Sequence, residues 1–307
     1  MTGHDPAHSD TACLLQMAFG RAAPTTPIPV AEGQGERSLA LALDGEGLPP
    51  RVILHRYRPS QQARAWRAFT AMQALREQRF PVPEVYYFGW SHHTRYVVLL
   101  MEYVEGRGDE GQPGAFFYRV GPGFAQTLAA LHRIAWKRPP DLPVWPFRLA
   151  FNDVARRVRR LKSGELTEIL GWLVPQVAQI VNLPQVVIHG DYTLSKIVAN
   201  RTEVSAVLGW EQASLADPRL DVGYTSAALS VYGVAFSDQF IDAYQDAAGP
   251  LMDRAFWEVF GALRLLVALG ERLARLPQEQ MEAALDEIGP AWEGLLQFVE
   301  ARTGLRL

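Results

Sequence analysis

Cysteine is almost missing from this 307-residue chain: Cys13 stands alone, which excludes an intrachain disulfide and a zinc site built on cysteines. Long apolar runs are missing too. The most apolar helical stretch, residues 255–269, is interrupted by Glu258 and Arg264, which argues against a membrane span. The first twenty residues lack a basic n-region and carry only a short apolar run, unlike a signal peptide, so a cytoplasmic location is expected. Lysine is scarce: only Lys137, Lys162 and Lys196 occur, and arginine carries the rest of the positive charge. A net charge of -3 excludes a general attraction to nucleic acid or to an anionic membrane. No internal repeat or low-complexity tract is visible. With 48% hydrophobic and 21% charged residues the composition is that of an ordinary soluble globular protein, and the length suffices for two lobes around one cleft.

What is present is concentrated in residues 186–224, VVIHGDYTLSKIVANRTEVSAVLGWEQASLADPRLDVGY. The apolar run 186–188 ends in His189-Gly190-Asp191. A second run, 204–208, leads into Gly209-Trp210-Glu211, and Asp217-Pro218 and Asp221 close the segment. Apolar β-branched runs bounded by glycine and polar residues read as strands, so two short strands are expected to deliver acidic groups to one rim.

At these residues the chain resembles the aminoglycoside phosphotransferase and choline kinase-like superfamily of small-molecule kinases. The family pattern is His-Gly-Asp, four residues, Asn, then Asp-Trp-Glu or a variant, then Asp-Pro and a further Asp. His189, Gly190, Asp191, Trp210, Glu211, Asp217, Pro218 and Asp221 keep that spacing. The resemblance implies an α+β, bilobal protein-kinase-like fold, with a small β-rich N-terminal lobe and a larger, mainly helical C-terminal lobe. It implies a lead-in over residues 1–23, the β-rich lobe over 24–104 and the helical lobe over 105–307. It also implies ATP and magnesium as cofactors, Asp191 as the group that accepts the substrate hydroxyl proton, and His189 as the residue that holds its loop.

Two positions depart from the pattern, and chemistry makes them the important ones. In kinase-type transfer an Asn and an Asp hold the magnesium ions that neutralise the phosphates. Lys196 stands at the Asn position and Gly209 at the Asp position. Magnesium requires oxygen ligands, an ammonium has no acceptor atom, and glycine has no side chain. Magnesium use is therefore in doubt. Either Glu211 forms a shifted one-metal site with Asp191, or Lys196 pairs with Asp191 or Glu211 and permanently replaces the ion. The second is preferred, because an ammonium in a poorly solvated cleft repels a divalent cation by roughly several kcal/mol.

The rest of the chain follows the same order. Gly33 and Gly35 precede an alternating strand, 38–43, and stand either for a phosphate-cradling loop or for a plain hairpin. Residues 51–57, RVILHRY, match the third strand, where the family carries a phosphate-pairing cation. His55 takes that position with Arg56 beside it, and strand alternation allows only one of them to face a cleft. Residues 60–79 read as a helix with Ala65, Phe69, Met72 and Leu75 on one face, but without the family's Glu, whose expected place is near Ala68. Segments 82–90 and 95–104 read as an antiparallel pair across the turn 91–94, where His92 and His93 are turn residues. Glu102 and Val104 lie at the family's adenine hinge or are a simple connector. His132 ends a helix over 124–134 as a packing residue, and the arginines of 150–162 form a solvated face. Helices are expected at 165–181, 223–231, 238–247, 250–276 and 278–301, with Trp257 and Trp292 in the core.

Two functions remain open on these residues. One is a family member with impaired or absent phosphotransfer that binds an unknown small molecule or protein partner, a pseudokinase. The other is an active ATP-dependent phosphotransferase that acts on a small hydroxyl compound through Asp191 with Glu211 in an altered metal site.

Overall fold

Two strand-forming runs, residues 38–43 and 51–57, build the middle of a sheet whose two faces are covered by different helices. The computed structural model describes the whole chain except residues 1–5, 22, 29–37, 92, 93 and 110, with backbone alone for 6–10. In chain order the elements are α1 (Pro6–Phe19), β1 (Thr25–Ile28), β2 (Ser38–Leu43), β3 (Arg51–Tyr57), α2 (Gln62–Glu77), β4 (Val85–Trp90), β5 (Val97–Glu102), α3 (Pro113–His132), β6 (Val144–Trp145), α4 (Phe147–Leu161), α5 (Gly164–Leu173), β7 (Val186–Ile188), β8 (Ile197–Asn200), β9 (Glu203–Val207), β10 (Ser214–Ala216), α6 (Arg219–Ser230), α7 (Val234–Ala248), α8 (Arg254–Leu273) and α9 (Met281–Thr303). They fall into two compact units. The first comprises Met1–Gln112, Arg138–Leu142 and Ser195–Ala213, and the second comprises Pro113–Lys137, Pro143–Leu194 and Ser214–Leu307.

In the first unit, five antiparallel strands run in the order β1-β2-β3-β5-β4. Val52 and Leu54 of β3 and Val98 and Leu100 of β5 share one face and pack against Leu14 and Leu15 of α1. The residues between them point to the other face, where Phe69 of α2 stacks on Phe88 of β4 with ring centroids 4.7 Å apart. Helix α2 forms because Ala65, Ala68, Met72 and Leu75 recur at helical spacing and bury one side. It ends before Arg79, whose φ of 59° lies in the left-handed region. The expected strand 204–208 pairs with β8 as a separate antiparallel hairpin, tied to the chain ahead of β4 by the Val207 amide on the Pro81 carbonyl, 2.8 Å. It belongs to a different sheet from β7.

The second unit is mainly helical. Its three-stranded sheet has β10 in the centre, parallel to β6 and antiparallel to β7. Helix α8 is the hub: Trp257, Phe260, Leu263 and Leu266 lie in a core shared with Phe147 and Phe151 of α4, Ile169 of α5 and Phe298 of α9. Trp257 is buried and Trp292 packs against this core, both as expected. Glu258, which interrupts the apolar run, is fully buried and accepts hydrogen bonds from Ser226 (2.7 Å) and Arg302 (2.8 Å). Among the described residues no helix is long and apolar enough to cross a membrane.

Candidate functional site

The turn after β7 is held from below by one carboxylate. The backbone amides of His189 and Gly190 each donate to Asp221 of α6 at 2.7 Å, and Gly190 supplies the positive φ of 83° that this turn needs. Asp221 is fully buried. Burial alone would raise its pKa, but hydrogen bonding and charge from His132, with His189, outweigh this and hold it below the ordinary carboxylate value. His132 is the buried packing residue expected, with Nε2 3.4 Å from Asp221 and Nδ1 2.8 Å from the Tyr244 hydroxyl. His189 is buried as well, and its Nδ1 accepts the Asp191 amide at 3.2 Å, a loop-holding contact. Tyr192 anchors the next residue of the turn, donating to the Phe124 carbonyl at 2.8 Å.

Asp191 follows this pinned turn and is half-buried. Its Oδ1 accepts a hydrogen bond from the Tyr224 hydroxyl at 2.9 Å. Burial, followed by the Asp191 charge, pushes the Tyr224 phenol well above its ordinary pKa, so it remains a donor. The Arg264 guanidinium lies 4.7 Å over the Tyr224 ring and donates to the carbonyls of Leu220 (2.9 Å) and Gly190 (3.2 Å).

The two unusual positions meet in the first unit. Gly209 adopts φ 80° and ψ 47°. A Cβ placed on it would lie 2.9 Å from Cδ, 3.2 Å from Cε and 3.6 Å from Nζ of Lys196. The lysine stem therefore fills the space that a side chain at 209 would enter. A further link joins them, since the Leu208 amide donates to the Lys196 carbonyl at 2.8 Å. Trp210 is fully buried and donates to the Val207 carbonyl at 2.8 Å. Glu211 lies in a 3-10 turn, Trp210–Gln212, that packs against α2. Its Oε1 accepts the Tyr57 hydroxyl at 2.8 Å, and burial together with Glu211 raises that phenol's pKa far beyond the normal range.

His55 and Tyr57 share a strand face, their rings 4.4 Å apart, and His55 Nδ1 contacts the Ser38 hydroxyl at 2.7 Å. Arg56 points to the opposite face, with a buried Nε that has no hydrogen-bond partner among the described residues. His55 is thus on the side of Glu211 and Arg56 is not. The position near Ala68 where the family's helix acid would stand is an alanine that is 1% exposed. The Glu102 carboxylate accepts the Glu84 amide at 3.0 Å and pairs with Arg76 at 3.6 Å, while Val104 is half-buried in the segment that follows. Gly33, Gly35, His92 and His93 lie outside the described residues.

Three residues at these centres carried no role in the sequence pattern. Tyr57 was discoverable as the residue two beyond His55 on one strand face. Tyr224 stands three after Asp221 on α6, hence on the same side of the helix. Arg264 was conspicuous as a cation within an apolar run.

Among the described residues no group of three or more histidine, cysteine or acidic side chains is arranged to hold a metal ion. The donor chemistry agrees: Lys196 offers no lone pair, and the room for a carboxylate at 209 is filled by the lysine stem. The residues at these two positions do not fit magnesium.

An antiparallel five-stranded sheet with its helices, followed by a helical unit whose His-Gly-Asp turn hangs on a buried aspartate, defines the protein-kinase-like class of small-molecule phosphotransferases. Within that class the chain belongs to the phosphotransferase enzyme family, which residues 26–260 match. Solved structures agree in fold. The aminoglycoside 2'-phosphotransferase-IIIa bound to GDP is 15% identical with a TM-score of 0.68, over 97% of this chain and 100% of the other. APH(4)-Ia in complex with AMP-PNP and hygromycin B is 13% identical with a TM-score of 0.65, over 96% and 98%. APH(3'')-Id from Streptomyces rimosus, bound to ADP and streptomycin, is 19% identical with a TM-score of 0.57, over 82% and 95%. No curated protein matches the chain by sequence.

Proposed function

We propose that this member of the phosphotransferase enzyme family has lost magnesium-dependent transfer and works as a binding protein for a small molecule or a protein partner. The observation that carries this is the packing of the Lys196 stem onto Gly209, with Cδ 2.9 Å from where a Cβ would begin. The two substitutions are complementary rather than independent: the lysine needs the glycine, and the glycine leaves space that the lysine fills. The ammonium supplies positive charge where the family pattern places a divalent ion, so added magnesium meets repulsion instead of ligands. Glu211, the remaining acid nearby, already accepts the Tyr57 hydroxyl through Oε1.

Related proteins have been seen with GDP, ADP or AMP-PNP, so a nucleotide is a reasonable first probe. Titration calorimetry of ATP with and without magnesium should give the same heat and affinity, whether ATP binds or not. Magnesium-dependent ATP binding, or magnesium-dependent transfer of phosphate from ATP to a hydroxyl compound, would overturn the proposal. It would favour the second function, transfer through Asp191, which the intact hydrogen bonding of the His189–Asp191 turn supports. No aminoglycoside is proposed as ligand. Asp238, Asp253 and Glu258, three of the C-terminal acids that a polycation would need, are engaged by Arg254, Arg302 and Arg219.

A further inference from the structure

Helices α6 and α8 touch at their backbones. A Cβ on Gly223 would lie 2.0 Å from the Trp257 carbonyl oxygen, and one on Gly261 would lie 2.2 Å from the Gly223 carbonyl oxygen. Only glycine permits that approach. It brings Arg264, one turn beyond Gly261, across to α6, where its guanidinium bonds the Leu220 carbonyl, bonds the Gly190 carbonyl of the turn and covers the Tyr224 ring. Tyr224, next to Gly223, then presents its hydroxyl to Asp191.

We infer that Tyr224 is a positioning residue for Asp191 and that Arg264 is its anchor, so that the carboxylate is set to accept a hydrogen bond from a ligand hydroxyl. The opposite possibility is that the phenol imitates an acceptor hydroxyl and leaves when a ligand arrives. The structure argues against it, because the ring is clamped between its own helix and a guanidinium fixed by two carbonyls. A group held in this way supports its neighbour permanently. The ligand class that follows is a hydroxyl-bearing small molecule, and this step presupposes the ligand-binding role proposed above.

The support can be tested without knowing the ligand. Protein labelled with ¹³C at the aspartate carboxyls, kept at one pH without nucleotide, gives an Asp191 resonance identified by its loss in Asp191→Asn. Tyr224→Phe should shift that resonance and leave the Asp221 resonance in place, whereas Tyr118→Phe, at an exposed tyrosine, should change neither. Arg264→Met should reproduce the shift and Arg264→Lys should reproduce less of it. Should the arginine variants not fold, Tyr224→Phe alone decides. An Asp191 resonance unmoved in Tyr224→Phe overturns the inference. If the protein proves to transfer phosphate with magnesium, the proposed loss of transfer falls, while the binding of a hydroxyl ligand, on which this inference rests, stands. Tyr224→Phe must then lower kcat by roughly 10²-fold with KM for ATP unchanged, the loss typical of a misplaced catalytic group, and an unchanged kcat overturns it.

Discussion

If Lys196 and Gly209 are one adapted pair, their substitutions must not be additive. Gly209→Ala adds a Cβ 2.9 Å from Lys196 Cδ at a backbone with φ 80°. The left-handed conformation costs an alanine about 1 kcal/mol, and crowding of the lysine stem adds roughly 1–2 kcal/mol. Lys196→Asn removes the crowding and leaves the backbone cost in place. The single Gly209→Ala variant should therefore lose about 2–3 kcal/mol, but only about 1 kcal/mol when made in the Lys196→Asn background, a coupling of roughly 1–2 kcal/mol. Urea titration of the four proteins measures this directly, and thermal scans should follow at about 2–4 °C per kcal/mol. A coupling within error of zero would refute the idea that the stem occupies the place of the missing carboxylate. The same four proteins separate packing from chemistry when aspartate replaces alanine, because a carboxylate at 209 is attracted to the ammonium that it crowds.

Tyr57→Phe takes the donor from a half-buried carboxylate, so a loss of about 1–3 kcal/mol is expected in urea unfolding, and a neutral result would show that Glu211 is satisfied without it. The phenols of Tyr57, Tyr192, Tyr224 and Tyr244 all have raised pKa values, with burial as the first cause. A group whose folded pKa is raised contributes its full stability below its unfolded pKa, so stability should hold up to about pH 10 and fall above it as the unfolded chain ionises. Absorbance titration should show these tyrosines ionising together with unfolding, and free ionisation in the folded protein would contradict their burial. Arg302→Ala strips a bidentate partner from Glu258, whose side chain is 0% exposed, and should cost about 3 kcal/mol in the same assay.

The β-rich and helical regions were legible because alternation and helical spacing reflect burial directly. The strands at 38–43, 51–57 and 186–188 carry the expected ends, and most helices differ from expectation by a few residues at capping positions such as Asp253, with its φ of 56°. The helix expected over 165–181, however, ends at Leu173, just ahead of Pro175, and the one expected over 124–134 already begins at Pro113. The Lys196 and Gly209 departures were legible as residue types, since acceptor capacity is a property of the side chain alone. That the two pack on each other was not, because spacing along a chain does not state where a lysine stem lies. The roles of Tyr57, Tyr224 and Arg264 stayed hidden for a related reason: each becomes informative only through a partner distant in sequence, Tyr57 with Glu211 and Arg264 with Gly190. Arg264 also needed the backbone contact of Gly223 and Gly261, which in the sequence are two glycines among 25.

The first compact unit is not contiguous: residues 195–213 join a body otherwise made almost wholly from residues 1–112. On the ribosome, the N-terminal sheet emerges long before the hairpin of β8 and β9 and the Trp210 indole that belongs beside Phe80, their rings 5.9 Å apart. Its apolar surface around Phe80 must therefore stay exposed until about two-thirds of the chain has been made, an interval in which partly folded chains are open to aggregation and to chaperones.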